Sequence, residues 1–146
     1  MTKILLMLHV IAAIITVGPV TVAASMFPAA VRAGDLARIR VLHRICQVYA
    51  VLAVAVPVFG FATAGVLHVL GTPWLVASMI LTALAALVLG AVVLPAQDRI
   101  LLAGEDVASV GRTTITRLAM CTGVFNVLWA SVTVLMILRP GSTTGV

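Results

Sequence analysis

Four apolar runs, separated by three polar or turn-forming breaks, organise the chain: about 5–27, 45–70, 74–94 and 118–138. None contains Asp, Glu, Lys or Arg. Each has the roughly 20 residues an α-helix needs to cross a hydrocarbon layer about 30 Å thick. The pattern predicts an all-α fold, a four-transmembrane-helix bundle, as one integral membrane domain over residues 1–146.

Proline, glycine and capping residues set finer expectations. Pro19 interrupts the first run mildly, and Thr16 or Thr21 is expected to satisfy the carbonyls it frees. Pro28 is expected to end the hydrocarbon part. Gly34-Asp35 reads as a C-cap followed by an N-cap, after which a basic helix should begin at Leu36 and continue without interruption through the second run, past Pro57. Gly60, Ala64 and His68 fall at i, i+4 and i+8, a smooth stripe ending in an imidazole. Gly71-Thr72-Pro73 predicts a tight turn with Thr72 as N-cap and Pro73 at the first helical position. Trp74 sits where an interfacial aromatic belongs. Beyond Pro95, Ile100 to Leu102 suggest a short interfacial element, and the final GSTTGV reads as a disordered tail.

Composition agrees with the pattern. The chain is 63% hydrophobic and 9% charged, far from the ~45–50% and ~25% of soluble domains. Its formal charge of +5 comes without an aromatic-basic motif, so nucleic acid is not an expected partner. Seven basic residues (Arg32, Arg38, Arg40, Arg44, Arg99, Arg112, Arg117) flank the two long connectors, and two (Lys3, Arg139) lie at the opposite ends of the runs. The positive-inside rule then predicts a plasma (inner) membrane protein with long connectors cytoplasmic and both termini outside. Arg32, Arg38, Arg40 and Arg44 are expected to contact anionic lipid headgroups. The first run exceeds the apolar core of a cleaved signal peptide, so it is expected to be retained.

The connectors resemble each other. Pro28-Ala29, Arg32 and Ala33-Gly34-Asp35 in the first match Pro95-Ala96, Arg99 and Ala103-Gly104-Glu105 in the second. Either the bundle consists of two parallel helical-hairpin repeats, or these are the residues common at span ends.

Few side chains in the runs carry chemistry. His9 and His68 both fall toward the outer side, roughly 6–9 Å apart in depth at ~1.5 Å per residue. Imidazoles on adjacent helices are candidate haem or metal ligands; the alternative is that His9 bonds a neighbouring helix and His68 reaches headgroups or water. His43, Cys46, Met120 and Cys121 form a second, soft-ligand grouping at the cytoplasmic end, alternatively gap-filling core residues. Asn126, the one amide near mid-span, is expected to hydrogen-bond across a helix interface. Buried carboxylates suited to a proton-coupled pump are absent from the runs, as are HExxH, GxSxG and Walker sequences.

Leu8-His9-Val10, Gly18-Pro19 and Phe27-Pro28 with Arg32 resemble a group of small uncharacterised four-helix integral membrane proteins from actinobacteria. The Leu-His of the first run also resembles that of membrane-bound four-helix protoporphyrinogen oxidases and copper-resistance membrane proteins. Those families imply haem association and copper handling respectively, and His9 alone carries over; the charged and aromatic residues such enzymes add within the spans are absent here. The function expected is that of a helix-packing component of a membrane assembly or homo-oligomer. The alternative is an outer-side haem- or metal-binding protein using His9 and His68.

Overall fold

The structure, a computed structural model, describes residues 2–141; the tail from Ser142 lies outside them. Four long helical passages form an antiparallel bundle, and no strand occurs among the described residues. The first passage is α1 (Thr2–Arg32), and the second is α2 (Leu36–Leu52) followed by α3 (Ala55–Val66). The third is α4 (Pro73–Leu87), a π-helical segment (Val88–Val93) and α5 (Leu94–Leu101). A 3₁₀ turn (Gly104–Ser109) leads into the fourth, α6 (Arg112–Leu138). All four passages are long and apolar enough to cross a membrane.

α1 packs along both α2 and α3 and also touches α6; α6 in turn packs on α4 and the π segment. Close packing between the second and third passages is concentrated in α2 against α5. The tightest core lies at the end bearing the Gly34 connector, where Phe27, Val31, Ile39, Cys46, Val93 and Val107 are fully buried. A smaller cluster of Ala64, Trp74 and Leu75 closes the end bearing the Gly71 turn. Elsewhere the exterior is apolar: Ile14, Val51, Leu87, Val127 and Ile137 are all more than half exposed. This inverts the surface of a soluble protein and suits an apolar surrounding.

The local signals at the first connector act as expected. Gly34 takes a left-handed φ of 65° after α1, and the Asp35 carboxylate accepts the Arg38 N–H at 3.0 Å to cap α2. The passages, however, outrun their apolar cores. Pro28 lies inside α1, which continues to Arg32, and Ile100 and Leu101 are the end of the third passage rather than a separate interfacial element. Ile100 is buried within the bundle, whereas Leu102 projects outward.

The second passage is interrupted where the pattern predicts continuity. The Pro57 ring lacks the N–H that would bond the Ala53 carbonyl and crowds that carbonyl. The Val56 N–H takes the Ala53 carbonyl instead, at 3.0 Å, and the helix breaks between α2 and α3. Pro95 has a gentler counterpart, since the turns before it widen to i→i+5 bonding and the Leu94 N–H reaches the Leu89 carbonyl. At Pro19 the helix is unbroken, and the Thr16 hydroxyl bonds the Ala12 carbonyl at 2.7 Å rather than the carbonyl of Ile15 that Pro19 frees. Thr72 and Pro73 start α4 as expected, although the Thr72 hydroxyl turns back to the Val69 carbonyl and caps nothing.

The first and second passages are locked by a direct fit. His9 Nδ1 lies 2.9 Å from the Val56 carbonyl, to which it donates, and the ring rests on Gly60. A Cβ at Gly60 would come within 3.0 Å of His9 Cε1. The smooth stripe foreseen on this helix therefore does meet an imidazole, but that of His9. His68 lies beyond the end of α3, in a left-handed turn with φ 54°.

Gly60→Ala is therefore expected to destabilise the solubilised protein by about 1–3 kcal/mol, the usual scale of overpacking. The same change should cost much less in a His9→Ala background. Thermal unfolding of the two single variants and the double variant measures this, and strictly additive losses would contradict the contact.

Candidate functional site

Three places in the bundle carry polar groups or space that packing alone does not require. The first is a buried polar clamp at the connector end, between α2 and α5. His43 is buried on α2, with Nδ1 2.9 Å from Gln97 Oε1 and Nε2 2.8 Å from Asp98 Oδ1. The Gln97 Nε2 group donates to Cys46 Sγ at 3.7 Å. As placed, both ring nitrogens face oxygen atoms of the third passage. Asp98 is 55% exposed, so water reaches the outer side of the pair and screens it. Among the described residues this is the one contact within 4 Å between a basic and an acidic side chain, and the connector arginines have no carboxylate partner at that range.

Neither Gln97 nor Asp98 stands out from the sequence, because the third apolar run ends at Leu94. The available signal is a stripe rather than a motif. Leu89, Val93, Gln97 and Ile100 recur at helical spacing, and all four are buried, which carries the inward face one turn past Pro95. By the register of the connectors, Gln97 and Asp98 correspond to Ala30 and Val31 of the first. Both of those are buried and apolar. The positions that supply the clamp's oxygens in the second connector are thus apolar packing positions in the first.

The second place is a cleft of about 260 Å³ between the second and third passages. Ala50, Ala53, Val54 and Pro57 line one side; Thr82, Ala86, Leu89 and Gly90 line the other. Val17 and Val20 of α1 with Phe125 and Trp129 of α6 form its floor. Both backbone irregularities, the α2–α3 break and the π segment, border this space, and π-bulges recur at functional sites. The lining is apolar apart from Thr82, whose hydroxyl is spent on the Ser78 carbonyl at 2.7 Å. Exposed Val54, Ala86 and Gly90 leave the cleft open sideways.

The third is a crevice of about 170 Å³ between α1 and α6, lined by Ser25, Arg32, Thr122 and Asn126. The Asn126 amide donates to Ser25 Oγ at 3.0 Å, making the cross-helix bond expected of it.

The remaining candidates are dispersed. His9 is held against α3 through Nδ1, leaving Nε2 as its unbonded nitrogen. His68 is exposed in its turn, about 12 Å beyond Gly60 along the passage at ~1.5 Å per residue. Met120 projects outward from α6, away from buried His43 and Cys46, and both cysteines are free thiols. Among the described residues no three His, Cys, Asp or Glu side chains are grouped as metal ligands. Arg38, Arg40 and Arg44 are exposed at the connector end. Trp74, expected at an interface, is buried beneath Arg139, whose guanidinium lies 5.6 Å from the ring centroid.

The clamp predicts a distinct mutational pattern. His43→Leu should lower stability by about 1–3 kcal/mol because buried Gln97 loses its partner, and Asp98→Asn by less than about 1 kcal/mol because Asp98 is half in solvent. Adding Gln97→Leu to His43→Leu should restore part of the loss, since an apolar pair leaves no orphaned group. Thermal unfolding in detergent reads all three, and equal losses for the single and paired changes would contradict the clamp.

Comparison with protein-family models, curated proteins and solved structures finds no match to this chain.

Proposed function

We propose that this chain is a multi-pass protein of the plasma membrane that takes a single apolar chain, acyl or prenyl, from the bilayer into the cleft between its second and third passages. The lateral apolar cleft itself carries the reading. An enclosed void of 260 Å³ would cost about 6 kcal/mol at ~24 cal/mol per Å³. A side opening onto an apolar exterior lets a hydrocarbon chain fill that space. The volume falls just below the ~300 Å³ lower end of pockets for whole drug-sized ligands, which favours one chain segment over a large ring system. Apolar cavities of comparable size stay dry and accept hydrocarbon guests.

In the same proposal the two connectors face the cytoplasm and both termini lie outside, supported by the seven-to-two division of basic residues. Homo-oligomer or assembly partners would use the same exposed apolar surface that lipid covers, and no observation on that surface favours a protein over lipid. The cleft is the feature that lipid contact alone does not require.

Trp129 on the cleft floor provides the test in a Trp74→Phe background. A brominated acyl chain added to the detergent-solubilised protein should quench Trp129 saturably, approaching one chain per protein. Ala86→Leu, which fills the cleft from an exposed position, should weaken that quenching at least about tenfold, or ~1.4 kcal/mol of binding. Non-saturating quenching that Ala86→Leu leaves unchanged would overturn the proposal.

A further inference from the structure

The crevice between α1 and α6 belongs to neither the clamp nor the cleft, and its polar groups are incompletely satisfied. Thr122 lines the crevice at 2% exposure, and its hydroxyl, itself buried, has no hydrogen-bond partner among the described residues. Asn126 Oδ1 is likewise buried and unpaired among the described residues. Leaving such groups without partners is unfavourable, so a polar occupant has two groups to satisfy. Ala119 and Gly123 keep the wall low, and a Cβ at Gly123 would meet nothing within 4 Å. At the mouth stands Arg32, one of the arginines without a carboxylate partner among the described residues.

These groups can all act as donors. Arg32 donates five N–H bonds and the Thr122 hydroxyl one. The two orientations of the Asn126 amide fill the same volume; turned over, Oδ1 accepts the Ser25 hydroxyl proton and Nδ2 takes the buried position beside the crevice that Oδ1 now holds. A guanidinium at the rim with hydroxyl and amide donors below it matches a tetrahedral oxyanion, for which arginine is the preferred partner.

We propose that this crevice binds a phosphate ester, with Arg32 holding the charge at the mouth and Thr122 and Asn126 bonding the oxygens below. The source is either the headgroup of an anionic phospholipid lying along the α1–α6 seam or a free phosphate. A lipid held here would present its headgroup at the connector end, where the other arginines also lie.

The test is a titration of the delipidated full-length protein in neutral detergent, read by native mass spectrometry, with phosphatidylglycerol and inorganic phosphate as separate probes. Arg32→Gln should weaken binding about tenfold, the scale of one charge-assisted hydrogen bond. Thr122→Val should weaken it severalfold while leaving the melting temperature of the unliganded protein equal or higher, because an orphaned hydroxyl is removed. Arg40→Gln, an exposed connector residue outside the crevice, should have little effect. Saturable phosphatidylglycerol binding with this variant pattern, not displaced by phosphate, supports a lipid source; phosphate binding with the same pattern and mutual competition supports a free-ion source. Equal effects of Arg32→Gln and Arg40→Gln, or no effect of Thr122→Val, would overturn the site. A Ser25→Cys variant that crosslinks efficiently to a second copy, with binding of neither probe, would assign the crevice to a protein contact instead.

Discussion

The hydrogen bonds of His43 to Gln97 and Asp98 tie the second helical passage to the third at the connector end. Close packing between those passages is concentrated there, in α2 against α5. An apolar medium drives helices together weakly, because lipid tails are as apolar as leucine, so polar bonds and close-fitting small residues must supply the specificity. The bundle uses both. His43 reaches across one seam, and the imidazole of His9 fits against Gly60 across another. With the connector end tied and the Gly71 end closed by Ala64, Trp74 and Leu75, the middle of the second and third passages is free to part.

Backbone chemistry determines where they part. Pro57 removes the bond to the Ala53 carbonyl and breaks one wall of the cleft, while the wider turns of the π segment ahead of Pro95 shape the other. The Ala53 carbonyl stays bonded through the Val56 N–H and the Leu89 carbonyl through the Leu94 N–H, which lowers the cost of irregular backbone in an apolar environment. The resulting opening is apolar, faces sideways and is bounded by residues fixed on rigid helices. The polar crevice lies on a different seam, between α1 and α6, so an apolar chain and a phosphate group would enter at separate places.

Much of this architecture is legible in the residues because it depends on local rules. Run length and the absence of charge give four helices, and Gly34 with Asp35 and Thr72 with Pro73 mark two of the turns. The departures come from interactions that local rules do not contain. Pro19 and Pro28 sit in continuous helix while Pro57 breaks one. His43 looks like one of several polar residues near a basic connector until Gln97, 54 positions away, is brought beside it. His68 fits the stripe of Gly60 and Ala64 by spacing, yet the helix ends at Val66 and the stripe is completed by His9 from another helix. The cleft has no sequence signature, because it is made by the space between residues whose individual apolar character is unremarkable.

In the proposed role a hydrocarbon chain enters between the second and third passages. Photo-crosslinking in bilayer nanodiscs, using a phospholipid with a photoreactive acyl chain, tests it most directly when the labelled residues are mapped by peptide mass spectrometry. Labelling concentrated on Val54, Ala86, Gly90 and Trp129, and competed by an unlabelled free acyl chain, is the result the cleft predicts. Labelling spread evenly over the outward residues Ile14, Val51, Leu87 and Val127, with Trp129 untouched, would contradict it.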